Sequence, residues 1–119
     1  MEVAERWSAA QDAAFATGDR EGVYALFADD IEFTTPHRTL HGLNEVREKL
    51  KWGGEPDNLV VEVETGEWQD LGDGRVVRDS RVVQRWKETG EVAATMLVHL
   101  DLRIRDGKIA RYERRAQPE

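Results

Sequence analysis

The sequence predicts an α+β fold in which N-terminal helices pack on a strongly curved antiparallel sheet, an α+β barrel or cone that encloses a pocket. Apolar residues recur at helical spacing as far as Leu50, whereas from Asn58 onward they fall into strand-like runs. Those runs are separated by Asp73-Gly74, Thr89-Gly90 and Asp106-Gly107, turn pairs that imply an antiparallel meander. Helices first and a twisted sheet second place the helices together on one side of the curl.

Val3, Trp7, Ala10 and Ala14 share one helical face, widened by Phe15, and Gly18-Asp19 supplies a stop followed by a new N-cap. Asp19 opens a second, shorter helix with Val23, Leu26 and Phe27 on one face, ending at Asp29-Asp30. Ile31 to Thr35 alternates apolar and polar residues as a short strand, which Pro36 ends because it cannot donate to a ladder. After Gly42, the spacing of Leu43, Val46 and Leu50 predicts a third helix ending near Trp52-Gly53-Gly54. The strand runs are Asn58 to Asp70, Arg75 to Lys87, Val92 to Arg105 and Lys108 to Arg115.

The 119 residues suit a single domain, 1–119, with 39% hydrophobic and 34% charged residues and four tryptophans, too much apolar material for a disordered chain. The formal charge is −7, from 24 acidic against 17 basic residues. The basic residues are interleaved with acids, which opposes nucleic acid and anionic membrane surfaces as partners. Without cysteine there is no disulfide framework and no thiolate nucleophile. The N-terminus lacks a basic segment leading into an apolar run, and no stretch approaches the roughly 20 apolar residues of a membrane span, so a cytoplasmic protein is expected.

Phe15-Ala16-Thr17-Gly18-Asp19, then Leu26 to Phe33, Pro36, and Gly42 before a helix resemble the opening of the SnoaL-like family of the nuclear transport factor 2-like superfamily. Thr89-Gly90 and Asp106-Gly107-Lys108-Ile109 are similar to that family's closing hairpins. The resemblance spans nearly the whole chain. It implies helices and a concave sheet around a mostly apolar cavity, no cofactor, a small-molecule ligand and a homodimer. Members include polyketide cyclases, epoxide hydrolases, ketosteroid isomerases, dehydratases and non-catalytic modules, so it implies a pocket and not a reaction. The epoxide hydrolase pattern of Arg-x-Asp with a distant Asp meets Ser80, Val82 and Gln117 here, and the frequent carboxylate of the last strand is absent from Arg114-Arg115-Ala116-Gln117.

Strand parity selects the inward side chains. Met96, Val98, Leu100, Leu102 and Ile104 form an apolar inward row, leaving His99 and Asp101 outside. A two-residue turn at Asp106-Gly107 sets Leu102 opposite Arg111 and Leu100 opposite Glu113, making both inward candidates. On the preceding strand Val76, Arg78, Ser80, Val82, Gln84 and Trp86 make the better inward row, provided the Thr89-Gly90 hairpin carries a bulge; a strict two-residue turn would turn Asp79 and Arg81 inward instead.

Glu113, aided by Arg78 or Arg111, is the candidate acid or base beside a carbonyl, against the reading in which it makes an ion pair at the mouth of the sheet. His37, in a loop with His41, is the third catalytic candidate, since imidazole exchanges a proton near neutrality. Trp7, Phe15, Phe27, Phe33, Trp52, Ser80, Val82, Leu100 and Arg111 are the expected pocket lining, and no metal site is expected. Two functions remain open: a pocket protein for a small apolar or carbonyl-bearing molecule with isomerase, cyclase or hydrolase chemistry, and a non-catalytic dimerisation or binding module.

Overall fold

A computed structural model describes residues 2–50 and 58–118; Trp52 and the side chain of Phe15, both expected in the pocket lining, lie outside what is described. The chain runs α1 (Glu2–Thr17), α2 (Glu21–Tyr24), β1 (Phe27–Thr34), β2 (Thr39–His41), α3 (Leu43–Lys49), β3 (Leu59–Thr65), β4 (Gln69–Gly72), β5 (Arg75–Trp86), β6 (Val92–Arg105) and β7 (Lys108–Pro118). The strands form one curved, unclosed seven-stranded sheet in the order β2-β1-β7-β6-β5-β3, with β4 also paired to β5. All pairings are antiparallel except β1 with β7.

Helix α1 exists because Ala4, Trp7 and Ala14 bury one stripe while Glu2 and Glu5 favour its N-terminal dipole. Gly18, at φ 79°, closes it by donating its amide to Ala14 O at 2.8 Å. The second helix is a single turn. Leu26, Phe27 and Ala28 are all buried, and Phe27 opens β1, so this apolar run is a two-sided buried strand start where a helical face was expected. Thr39–His41, expected as loop, pairs with β1 through Phe33 opposite Leu40, and the 58–70 run divides into β3 and β4. Arg47 of α3 ties the helices together, forking onto Glu21 at 2.9–3.2 Å and lying 4.7 Å from the Tyr24 ring centre.

The core lies between the helices and one face of the sheet, with Ile31, Leu102, Ile109, Val23, Val46 and Val76 almost fully buried. A ladder of rings crosses it: Trp68 to Trp7 at 6.2 Å, Trp7 to Tyr112 at 5.6 Å, Tyr112 stacked on Phe33 at 4.2 Å, and Phe33 to Phe27 at 5.9 Å. Burial pushes the Tyr112 phenol up to about 12, so it stays neutral across the physiological range.

Two bulges set which side chains face the helices. The β5–β6 pairing shifts between Gln84 and Arg85, giving Ser80 opposite Val98, Arg78 opposite Leu100 and Val76 opposite Leu102. This is the bulged alternative, and it puts Arg78, Ser80 and Val82 on the inner face. The β6–β7 pairing shifts between Arg103 and Ile104, leaving Ala110 as the extra residue. Leu102 therefore faces Tyr112 and Leu100 faces Arg114, not Arg111 and Glu113 as a strict two-residue turn requires. Arg111 and Glu113 pair with Arg103 and Asp101 and belong to the outer face, which corrects both inward expectations.

Candidate functional site

On the inner face, Arg78, Leu100 and Arg114 form one row across three adjacent strands, because Leu100 is paired with Arg78 on one side and Arg114 on the other. The next row is Val76, Leu102, Tyr112 and Phe33, and the row beyond Leu100 is Ser80, Val98 and Ala116. The inner rows of β5, β6 and β7 hold no carboxylate.

Arg78 is the most constrained polar group of this face. Its guanidinium lies 4.4 Å from the Trp68 ring centre, and Nη1 donates to Ser8 Oγ of α1 at 3.2 Å. Its Nε is buried with no hydrogen-bond partner. Burial holds its pKa below the ordinary arginine value, opposed more weakly by Tyr112 and the exposed Asp12. At any ordinary pH it remains charged, so the fold carries a partly desolvated cation whose hydrogen-bonded partner is a neutral hydroxyl.

Arg114 opens into a recess of about 440 Å³ together with Phe33, Thr35, His37, Arg38, Leu40 and Leu50. Phe33 and Leu40 are buried and form its apolar wall, while His37 stands exposed at the rim. Arg38 is held there by donating to the Lys49 carbonyl at the end of α3. The recess thus combines an apolar wall with two guanidiniums, of Arg38 and Arg114, and an imidazole.

Of the other expected lining residues, Leu100 and Ser80 are buried on the inner face and Val82 is half-buried. Trp7 and Phe27 are committed to the ring ladder and the core, so they back the site and do not line the recess. Trp68, Ser8 and Arg114 were not among the predicted site residues. Arg114 was hidden by the Ala110 bulge, while the alternation of Trp68 with Asp70, which pairs with Val76, could have aligned Trp68 with Arg78.

Glu113 accepts from Arg115 Nε at 2.6 Å and Arg111 Nη2 at 3.2 Å, an ion-paired role on the outer face. Beside it Arg75 forks onto Asp101 at 2.7–3.2 Å, which holds the Asp101 carboxyl below the usual carboxylate range. His99, on the outer face as expected, contacts Asp79 across the strands, Nδ1 to Oδ1 at 2.6 Å. Among the described residues, no group of three or more His, Asp or Glu side chains is placed to hold a metal ion. Nor is any described helix long and apolar enough to cross a membrane.

The match to the family model for the SnoaL-like domain covers residues 5–112. Among curated proteins none matches the chain. Solved structures share the architecture at low identity. TerC, crystallised with polyporic acid, is 24% identical, with 93% of this chain and 88% of that one covered at a TM-score of 0.64. An NTF2-like protein of unknown function from Burkholderia pseudomallei is 22% identical, with 98% and 89% covered at 0.67. An M. tuberculosis epoxide hydrolase like limonene epoxide hydrolase is 14% identical, with 98% and 80% covered at 0.62. At these identities the structural likeness fixes the fold alone. With the family match running over most of its length, the chain belongs to the SnoaL-like domain family.

Proposed function

We propose that the protein is a SnoaL-like pocket protein that binds a small, largely apolar, carbonyl-bearing molecule on its inner sheet face. The observation that carries this reading is the recess beside Arg114, where an apolar wall from Phe33, Leu40 and Leu50 meets a guanidinium and His37. Guanidiniums on this face would polarise a carbonyl oxygen, and His37 at the rim would exchange a proton with the neighbouring carbon, the chemistry of an enolisation. That TerC crystallises with polyporic acid is in keeping with an organic guest in this fold.

A second reading, a homodimer built on the outer sheet face, is favoured by Leu97, which is 40% exposed beside Asp79, His99, Arg115 and Gln117. One pair of measurements separates the two. A thermal-melting screen of small apolar ketones, quinones and aromatic acids should give at least one compound that raises Tm by several degrees, because ligand at about a hundredfold over Kd adds about 2.7 kcal/mol. A dimer by light scattering with no shift from any compound favours the binding-free dimerisation module.

A further inference from the structure

Resting on the reading of the inner face as a ligand site, we infer that its ligand is an organic anion, a carboxylate or an ionised enol or phenol, laid across Leu100 between Arg78 and Arg114. The first support is electrostatic. Six arginines of this chain, Arg47, Arg75, Arg85, Arg105, Arg111 and Arg115, each meet a carboxylate within ion-pair distance. The chain has acids to spare, 24 against 17 basic residues. Arg78 and Arg114, the two on the inner row, meet none among the described residues. The inner rows of β5, β6 and β7 supply none, and Asp70, beside Val76 at the β4 edge, accepts from the Gly72 amide. Asp12 of α1 is near enough to act on Arg78 through its charge, yet it is exposed and makes no ion pair with it.

The second support is the state of Arg78 itself. An arginine offers five N–H donors, and here one is taken by Ser8 while Nε is sealed from water without an acceptor. An orphaned buried donor on a charged group is costly, and such sites persist where something else selects them. An oxyanion is the group that answers both defects, because it brings the missing acceptor and the missing charge together.

Geometry sets the shape. Arg78 and Arg114 are two strand spacings apart, about 10 Å between their Cα atoms, with Leu100 between them. Trp68 lies against the Arg78 guanidinium, and Phe33 with Leu40 lines the recess beside Arg114. A flat apolar body with an acidic oxygen at one or both ends matches that frame. Arg103 on the outer face likewise meets no acid among the described residues, but it is exposed to water and carries no comparable penalty.

The test uses matched probes that differ in charge and hardly in shape: 2-naphthoate with 2-naphthamide, and benzoate with benzamide, titrated calorimetrically into the whole chain. Binding of the acid about tenfold or more tighter than its amide is expected. Arg78→Gln and, independently, Arg114→Gln should each remove most of that preference, weakening the acid several-fold more than the amide; Arg103→Gln should leave both unchanged. Amides that bind as tightly as acids, or a preference that survives both inner-row variants, overturn the anionic ligand and leave the pocket standing. If neither member of either pair binds, the pocket reading falls with it. Arg114 is only half-buried, so its variant keeps the test informative should Arg78→Gln fold poorly.

Discussion

Leu102→Ala is expected to remove about 3–5 kcal/mol of folding stability, the cost of a fully buried leucine plus the cavity it leaves. Leu102 is 0% exposed at the middle of β6, flanked by Val76 on β5 and Tyr112 on β7, beneath the ring ladder that joins sheet to helices. No neighbour can collapse into the space, because both flanking strands are pinned by long ladders of hydrogen bonds. A domain of this size has about 5–15 kcal/mol in total, so the variant should lose a large share of it. Urea denaturation should show a lower midpoint at an unchanged slope. A loss below about 1 kcal/mol would mean that Leu102 is not at the centre of the core.

Gly74→Ala should be nearly as damaging, by about 2–3 kcal/mol or more, for a reason of backbone geometry. Gly74 has φ 78°, and a Cβ there would sit 2.3 Å from the Ile104 carbonyl oxygen. The same neighbour's amide donates to Gly74 O at 2.7 Å, so the turn and the end of β6 cannot separate without losing that bond. Positive φ costs an alanine about 1–2 kcal/mol, and the broken contact adds at least about 1 kcal/mol more. Gly72 is the control, with φ 86° and open space around it. Gly72→Ala should lose only the conformational part, about 1–2 kcal/mol, and equal losses at the two positions would contradict the close approach.

The architecture was legible because its signals are local. The stripe of α1, the stop at Gly18 and the turns before β5, β6 and β7 are each written within a few residues, and Asp73 and Asp106 do take positive φ at 55° and 52°. The bulge in the β5–β6 hairpin could also be inferred, since β5 is long enough for its two rows to differ clearly in charge. In β7 the contrast is weaker: Arg111, Glu113, Arg115 and Gln117 make one row polar, and Arg114 breaks the other row of Ala110, Tyr112 and Ala116. One signal was present. Ile109 and Tyr112 are both buried yet three apart, a spacing that strict alternation forbids and one extra residue, Ala110, restores. That parity error exchanged Glu113 for Arg114 and so exchanged a carboxylate for a cation at the site. The parallel contact of β1 with β7, which brings Phe33 onto Tyr112, joins segments about 80 residues apart, and local periodicity says nothing about such distant pairing.

The exchange changes what the site can do. A proton-shuttling carboxylate on the inner row would have favoured acid–base turnover, whereas two guanidiniums favour holding and stabilising negative charge. On this account the inner row binds first, and any chemistry depends on how strongly it stabilises an oxyanion against the neutral carbonyl.

The most direct measurement is a proton–nitrogen NMR titration with 2-naphthoate, following the arginine Nε–H resonances and the Leu100 methyls. Arg78, Arg114 and Leu100 should shift together and saturate with one affinity, while Arg75, Arg103, Arg111 and Arg115 on the outer face stay in place. Movement confined to the outer arginines, or a saturating shift that leaves Arg78 and Leu100 untouched, would contradict a ligand site on the inner face.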